Sequence, residues 1–495
     1  MIPLLSLILA PVAGAASLEV SPGDDLNGLI GSLSPGDEII LNNGIYEIDA
    51  TLTIALEATE DEPVRFRAKN TGEAIIQAAP NAEGAYPGTL LQIDSSAWVS
   101  VEGVVLQGDD TWEQTDDPRY YGLIINASSN ITVEDVEVHQ VNRTAVYLSG
   151  ENNTIAFRRV HVHDVSAGYG LYVGCSDASC WTSELTIEKS WFHDISGDEA
   201  YGLYLAHGTQ GAQVTDTVIY NVTRFGLYMG STERGAENVA EGNAIWSVVD
   251  AAIFVEGAAR VRNNIIFNVD GRGIWTRDPE RGTYGDLVIA YNTVADTTGW
   301  AAELDDWQAA EGTLVLSSNA FCNPVGYGVQ MDLVQVDTAL PETPGYVANN
   351  VVCGLVEGLD EYAGEIVPGG GFNDFSDAEG WNFYPVSGAT LIDAGDPSAD
   401  GWTPDIDFNG LPRTGAPEAG AYEFDGEGNP GWQVQEGFKT FDLESRSQPQ
   451  VIGGCCSDSK GDEPSGAALI LVPLLTVGAA LRRAPRRRDG DDETR

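Results

Sequence analysis

The stretch SWFHDISGDEAYGLYL (190–205) joins two short strand-like runs through a turn, and its pattern returns along the chain. The pattern reads apolar-x-apolar, His or aromatic, Asp or Asn, apolar, then a gap, then Gly-apolar-aromatic-apolar. VEVHQV (136–141) with AVYL (145–148), VHVHDV (160–165) with GLYV (170–173) and TVIYNV (217–222) with GLYM (226–229) are its clearest copies. NAIWSV (243–248) with AIFV (252–255) and NIIFNV (264–269) with GIWT (273–276) continue it, and NTVADT (292–297) and NAFCNP (319–324) are weaker. With Val138, Val162, Phe192, Ile219, Ile245, Ile266, Val294 and Phe321 as equivalents, the spacings are 24, 30, 27, 26, 21, 28 and 27 residues.

Repeats of this length mark solenoids, propellers or arrays. Alternating runs rich in Val, Ile and aromatics are strands. A propeller blade needs ~40 residues and four strands, and a leucine-rich repeat would show its Leu spacing. The remaining choice is an all-β parallel solenoid of about ten coils, each stacked on the next at roughly 4.8 Å. Stacking turns equivalent positions into columns. Asn243, Asn264, Asn292 and Asn319 form one, which predicts side chains that bond up and down the stack and satisfy turn backbone; the alternative is four unrelated turn asparagines. Cys322 and Cys353 each lie three residues after such an Asn, so the register predicts a disulfide between neighbouring coils, and Cys175 and Cys180 (GCSDASC) are expected to close one loop. Disulfides imply an oxidising compartment.

LSPGDEIILNNGIYE (33–47) with DEPVRFRA (61–68), and DIDFNGLPRTGAPEAGAYEF (405–424), resemble the entry coil and closing segment of secreted right-handed parallel β-helix proteins. That superfamily includes pectate lyases and chondroitinase B-like and alginate lyases. The resemblance spans roughly residues 18–424 and implies a single-stranded right-handed parallel β-helix acting on polysaccharide.

The ends read differently. MIPLLSLILAPVAGAAS resembles a secretory signal cleaved near Ala15 or Ala16, giving a signal peptide over 1–16 and a β-helix over 17–424. Residues 425–465 are expected as a flexible linker carrying Cys455 and Cys456. A short apolar run and the cluster RRAPRRR occupy 466–488, and a polar tail 489–495. The run is short for a spanning helix, which needs ~20 residues. Cysteines, apolar run and arginines together resemble the myxobacterial C-terminal sorting tail, which implies trimming near Cys455 and Cys456 and attachment at the cell surface; the alternative is an ordinary single-pass anchor. Membrane contact is expected only through this tail, and a monomer is expected.

The 495 residues hold 25 Lys and Arg against 75 Asp and Glu, a net charge of −50, with only four lysines. Such a surface repels nucleic acid. It suits a salt-adapted secreted protein. No cofactor is required by any motif. Asp405, Asp407 and Asn409 (DIDFNG) have the alternating oxygen donors of a calcium loop without the closing Glu of an EF-hand, and an Asx-turn is the competing reading.

Two outward patches could carry chemistry. Strand parity sends Tyr147, Tyr172, Tyr204, Tyr228, Phe254 and Trp275 outward in one column that ends at Glu303. This is either a platform for sugar rings or a self-stacked ladder. The adjoining column ends in Glu256, Arg277 and Asp305. Carboxylates beside an aromatic floor would suit glycoside hydrolysis, and a plain ion-pair cluster is the alternative. The second patch holds His139, His161, His163 and His193, with Arg158, Arg159 and Lys189 nearby. A His or Lys base beside an Arg that neutralises a uronate carboxylate is what β-elimination or C5 epimerisation needs. The expected assignment is therefore His163, His193, Lys189 and Arg159 as catalytic, with His161, Tyr172, Tyr204, Tyr228 and Trp275 binding substrate. LAHG (205–208) and LYMG (227–230) stand where the resembling lyases would carry their Lys and Arg. A packed histidine–aromatic ladder, or a transition-metal site at His161, His163 and His193 with Asp164 or Asp194, are the other readings. The expected partner is an extracellular polysaccharide, bound either by an enzyme or by a non-catalytic adhesive rod.

Overall fold

The computed structural model describes residues 15–109, 121–175, 177, 179–230, 236–277, 286–304, 313–331, 346–357, 359, 366–397, 401–426 and 428–440. Residues 1–14, Asp305, Cys455, Cys456 and the apolar tail 466–488 lie outside them. Among the described residues no helix is long and apolar enough to cross a membrane.

Parallel strands stack into two long sheets. The first runs in chain order from Ser17–Val20 through Glu38–Leu41, Val64–Ala68 and eventually to Tyr346–Ala348. Its thirteen successive strands extend the stack beyond the repeat, because the entry coils lack the His/aromatic motif but pair in the same register. The second sheet is bent, and most coils contribute two strands to it, such as Glu137–Val141 and Thr144–Ser149. Val138, Val162, Phe192, Ile219, Ile245, Ile266, Val294 and Phe321 pair in that order, as the spacing required. All eight are buried and form one continuous internal stripe. A methyl-sized deletion in such a column costs about 1 kcal/mol, and Leu- or Phe-to-Ala several times that.

Three motif residues acquire physical reasons. The residue after the His or aromatic sits at positive φ (Asp164 51°, Asp194 53°, Asn221 52°, Asn268 50°, and Asp296 52° after Ala295), a conformation Asp and Asn tolerate better than most residues, and Gln140 and Ser247 adopt it in the other copies. The Gly of Gly-apolar-aromatic-apolar lies where coils nearly touch. A Cβ on Gly170 would meet the Gly202 carbonyl oxygen at 2.5 Å, and one on Gly202 the Gly226 carbonyl oxygen at 2.5 Å. The stacked asparagines follow a second left-handed corner, at Asn263, Tyr291, Ser318 and Asn349. Each Nδ2 donates to the next Oδ1: Asn243 to Asn264 at 2.9 Å, Asn264 to Asn292 at 2.9 Å, Asn292 to Asn319 at 3.0 Å and Asn319 to Asn350 at 2.9 Å. Thr217 and Ser190 carry the column upward, accepting from backbone N–H groups of the preceding coils. Asn350 and these hydroxyls extend the four-residue column read from sequence.

Cys322 and Cys353 pair across neighbouring coils, with Sγ atoms 2.8 Å apart. They are free buried thiols in contact, not the expected disulfide. The register puts them in one column as expected, and Cys353 Sγ also accepts from Gly371 N–H at 3.2 Å. Cys175 and Cys180 are disulfide-linked, with Cα atoms 5.3 Å apart.

The segment expected to be a linker from residue 425 begins instead as a packed strap. Trp432, Val434 and Lys439 are buried. Lys439 Nζ pairs with Asp216 Oδ1 at 2.8 Å, donates to the Gly242 carbonyl at 2.7 Å and sits 3.5 Å over the Phe408 ring. Glycine and glutamine composition suggested a loose chain; one buried cation and two apolar anchors override it. The calcium expectation is also replaced. Asp407 is buried and both its oxygens are taken by backbone, Oδ1 by Asn409 and Leu411 N–H and Oδ2 by Glu423 N–H. Asn409 is buried and bonds Asn429, while Asp405 points to solvent. This is an Asx-turn that closes the segment.

Candidate functional site

The histidine patch is built by strands Glu137–Val141, His161–Ser166 and Trp191–Ser196, whose outward residues fall in register, His139 against His163. The rings stack in one ladder: His139–His163 at 4.9 Å, His163–His193 at 5.2 Å and His193–Tyr220 at 4.9 Å, continuing to Trp246 and Phe267. His161 stacks flat on Trp191 at 4.0 Å, and the strap residue Phe438 sets its edge against both rings. His163 Nδ1 bonds Asp164 at 2.9 Å and its Nε2 bonds Glu137 at 3.1 Å; His193 Nδ1 bonds Asp194 at 2.8 Å. His161 Nε2 faces His193 Nε2 at 2.9 Å.

Burial, helped by the neighbouring His163, pushes His161 down to about 3. Burial also lowers His193, against the pull of Asp194. For His163 burial works the same way, but the bonds to Glu137 and Asp164 prevail and raise it. The ligand-capable atoms of His161, His163 and His193 lie within 4.8 Å of one another, as do those of Glu137, His139 and His163.

The cations expected beside these imidazoles are directed elsewhere. Arg159 bonds Asp135 at 2.7 Å and pairs also with Glu134, while Arg158 pairs with Glu188 at 2.9 Å. Lys189 is exposed at its left-handed corner. Among the described residues no hydrogen bond or ion pair joins Arg159 or Lys189 to His161, His163 or His193. Arg158 and Arg159 turn toward acidic neighbours beside the first sheet and Lys189 stands in solvent, so the grouping expected for β-elimination is not assembled here.

The aromatic patch is an open groove of about 390 Å³. Its floor takes in only part of the expected column, Tyr204–Tyr228 stacked at 4.3 Å, then Phe254 and Trp275 at 4.5 Å from each other; Tyr147 and Tyr172 continue the stack, at 5.3 Å from each other with Tyr172 5.2 Å from Tyr204, but do not line the groove. A second column that sequence reading missed runs beside it: Tyr169–Tyr201 at 5.3 Å and Tyr201–Phe225 at 5.1 Å. The signal was present, an aromatic directly before the motif Gly in YGLYV, YGLYL and FGLYM. Tyr172, Tyr204, Tyr228 and Trp275 are half-buried, and the stacked tyrosines cover one another's faces and leave ring edges outward.

Arginines rim this floor. Arg224 pairs with Asp250 at 3.1 Å, Arg277 with Glu256 at 2.7 Å, and Arg272 with Glu303. Arg272 also lies 4.2 Å over the Trp275 ring. The arginine side chains remain 36%, 40% and 33% exposed, whereas Glu256 and Glu303 are 8% and 10% exposed. Glu256 and Glu303 are therefore buried anchors for Arg277 and Arg272, whereas Asp250, 41% exposed, meets Arg224 at the surface. Tyr228 donates to Glu256, and burial with the neighbouring Tyr204 and Glu256 drives its hydroxyl far above the ordinary phenol range. Glu256 and Glu303 form ion pairs with separate arginines, the alternative to an acid–base pair for hydrolysis. Asp305 lies outside the described residues.

The model of the right handed beta helix region family matches residues 121–278 and again 178–333. No curated protein matches the chain. The alginate lyase from Paenibacillus sp. str. FPU-7 is similar at 14% identity over 71% of this chain and 99% of that one, with a TM-score of 0.44. Pectate lyase Pel9A is similar at 12% identity over 83% and 97%, with a TM-score of 0.47. The mannuronan C-5 epimerase AlgE4 A-module of Azotobacter vinelandii is similar at 14% identity over 60% and 83%, with a TM-score of 0.46. Likeness at this level says nothing of chemistry, which rests on the site alone. The family match falls on the coils that carry the His/aromatic repeat and both patches, and together with the parallel coil register it makes this chain a right-handed parallel β-helix.

Proposed function

We propose that this protein binds an acidic extracellular polysaccharide along the aromatic groove. The observation that carries the reading is the two-column aromatic floor flanked by Arg224, Arg272 and Arg277. The exposed edges of stacked aromatic rings and their phenol hydroxyls offer apolar contact and hydrogen bonds to sugar rings, and a planar guanidinium suits a uronate carboxylate. In a chain of net charge −50 the rim gathers three guanidiniums at one opening, each paired with one carboxylate, so that this opening is locally balanced. Neutral glycans would use the floor alone; an acidic one uses floor and rim together. The signal-like N-terminus and the sorting-like tail support placement of this groove at the cell surface.

A second reading, proton transfer at C5 of a bound uronate by β-elimination or epimerisation, is favoured by one contact set. Tyr228, kept protonated by its surroundings, touches Glu256, which Arg277 holds. A phenol that donates and a carboxylate that accepts are the parts such a transfer needs. The test is a panel of acidic and neutral oligosaccharides, followed by calorimetry for binding, absorbance for unsaturated uronates and proton NMR in D₂O for exchange at C5. Binding of acidic oligosaccharides that Tyr204→Ala and Arg224→Ala weaken together supports the first reading. Absence of binding by every acidic member overturns it, and binding with no product and no exchange removes the second.

A further inference from the structure

We propose that His161, His163 and His193 form a binding site for a divalent transition ion of the zinc class, separate from the aromatic groove. Three features point the same way. The three Nε2 or Nδ1 atoms converge within 4.8 Å, where tetrahedral nitrogen ligands of zinc stand roughly 3.3 Å apart at Zn–N distances of about 2.0–2.1 Å. A modest tilt of the stacked rings closes that gap. Two of the rings are already set by carboxylates on the far nitrogen. Asp164 takes His163 Nδ1 and Asp194 takes His193 Nδ1, the arrangement that fixes the tautomer and aims Nε2 at an ion. Asp194 is itself held by Asn221 Nδ2 at 2.9 Å, so the clamp is oriented from the next coil.

The third feature is the Nε2···Nε2 contact of 2.9 Å between His161 and His193. Two imidazole nitrogens that face each other share one proton at most, so one lone pair is engaged only through the other ring. An ion between them engages both lone pairs, the shared proton moving to the Nδ1 of its own ring so that the imidazole stays neutral, and one proton leaves His163 Nε2 for solvent as its bond to Glu137 breaks. Glu137 then stands next to the ion as an oxygen donor. Trp191 stacked on His161 and the edge of Phe438 wall the site on its apolar side. These contacts explain a puzzle of composition: four of five histidines in an acidic chain gather on three adjacent coils, where aromatic rings alone would have continued the ladder.

The test uses the folded protein freed of metal by chelation and titrated with Co(II), whose visible spectrum reports tetrahedral nitrogen ligation. One equivalent with an intense visible band is expected. His163→Ala and His193→Ala should weaken it at least 100-fold, and Asp194→Asn about 10- to 100-fold through the lost clamp. His207→Ala, the one histidine outside the cluster, should leave it unchanged. If the alanine variants fail to fold, the wild type still decides the matter: Zn(II) should shield His161, His163 and His193, and not His207, from diethylpyrocarbonate as mapped by peptide mass. Absence of stoichiometric Co(II) binding, or equal modification with and without Zn(II), overturns the proposal. Glycan binding is read separately, so its outcome is independent.

Discussion

Replacing Asn292 with Ala tests the element that ties the coils together. The Asn292 carboxamide donates to the Val261 carbonyl at 2.8 Å, the Ala290 carbonyl at 3.2 Å and Asn319 Oδ1 at 3.0 Å. Its Oδ1 accepts from Asn264 N at 3.1 Å and from Asn264 Nδ2 at 2.9 Å. Alanine removes all five and leaves the Asn264 backbone N–H buried without its acceptor. That orphan costs about 1–3 kcal/mol and each of the four further bonds lost about 1 kcal/mol net, so a total of ~5–7 kcal/mol is expected. Equilibrium urea unfolding followed by tryptophan fluorescence gives the number. Hydrogen exchange should show the loss concentrated on the coils from Ala259–Arg262 to Ala320–Met331, because a solenoid's stability is a sum of neighbour terms. Asn70, an exposed asparagine bonded only to Asn43 at its side chain, is the control and should cost less than ~0.5 kcal/mol as Asn70→Ala. A cost for Asn292→Ala within ~1 kcal/mol of that control would refute the claim that the column carries interior backbone bonding.

Other outcomes follow from the same contacts. Lys439→Ala removes a buried cation from Asp216 and the Gly242 carbonyl, and breaking such a pair costs about 3–5 kcal/mol locally; limited chymotrypsin digestion should then cut at Phe438 in the variant well before the wild type. Glu418 is raised to about 8 by burial and by sharing with Glu423. Its folded pKa exceeds its unfolded one, so the folded state holds the extra proton between about pH 4.5 and 8, and stability should fall as pH rises through that window. Glu418→Gln should flatten that slope in urea unfolding measured across pH. Phe192→Ala in the internal stripe should cost about 3–5 kcal/mol, read by the same unfolding curves.

Much of this architecture is legible because a solenoid converts sequence period into spatial register. Val138 to Phe321 pair as their spacing requires, and the asparagine column forms as read. The columns' neighbours were not legible. Parity placed Tyr172 and Tyr204 outward but gave no reason to look three residues back to Tyr169 and Tyr201. Long side chains were hardest: Arg159 turns to Asp135 and Arg272 reaches Glu303, and no period encodes a rotamer. Lys439 bonds across more than two hundred residues of sequence to Asp216, a contact set by the strap's path and not by any repeat. Composition misled at 428–440 and at Asp407 for one reason. Glycine- and aspartate-rich sequence describes a turn as well as it describes a linker or an ion loop, and only burial separates them.

The claim that the groove is an acidic-glycan site is tested most directly by calorimetric titration of oligouronates and of neutral oligosaccharides of equal length into wild type, Trp275→Ala and Arg224→Ala. Oligouronates should bind more tightly than neutral chains, Trp275→Ala should weaken both classes, and Arg224→Ala should weaken only the oligouronates. Equal binding of the two classes, or oligouronate binding unaffected by either substitution, would contradict it.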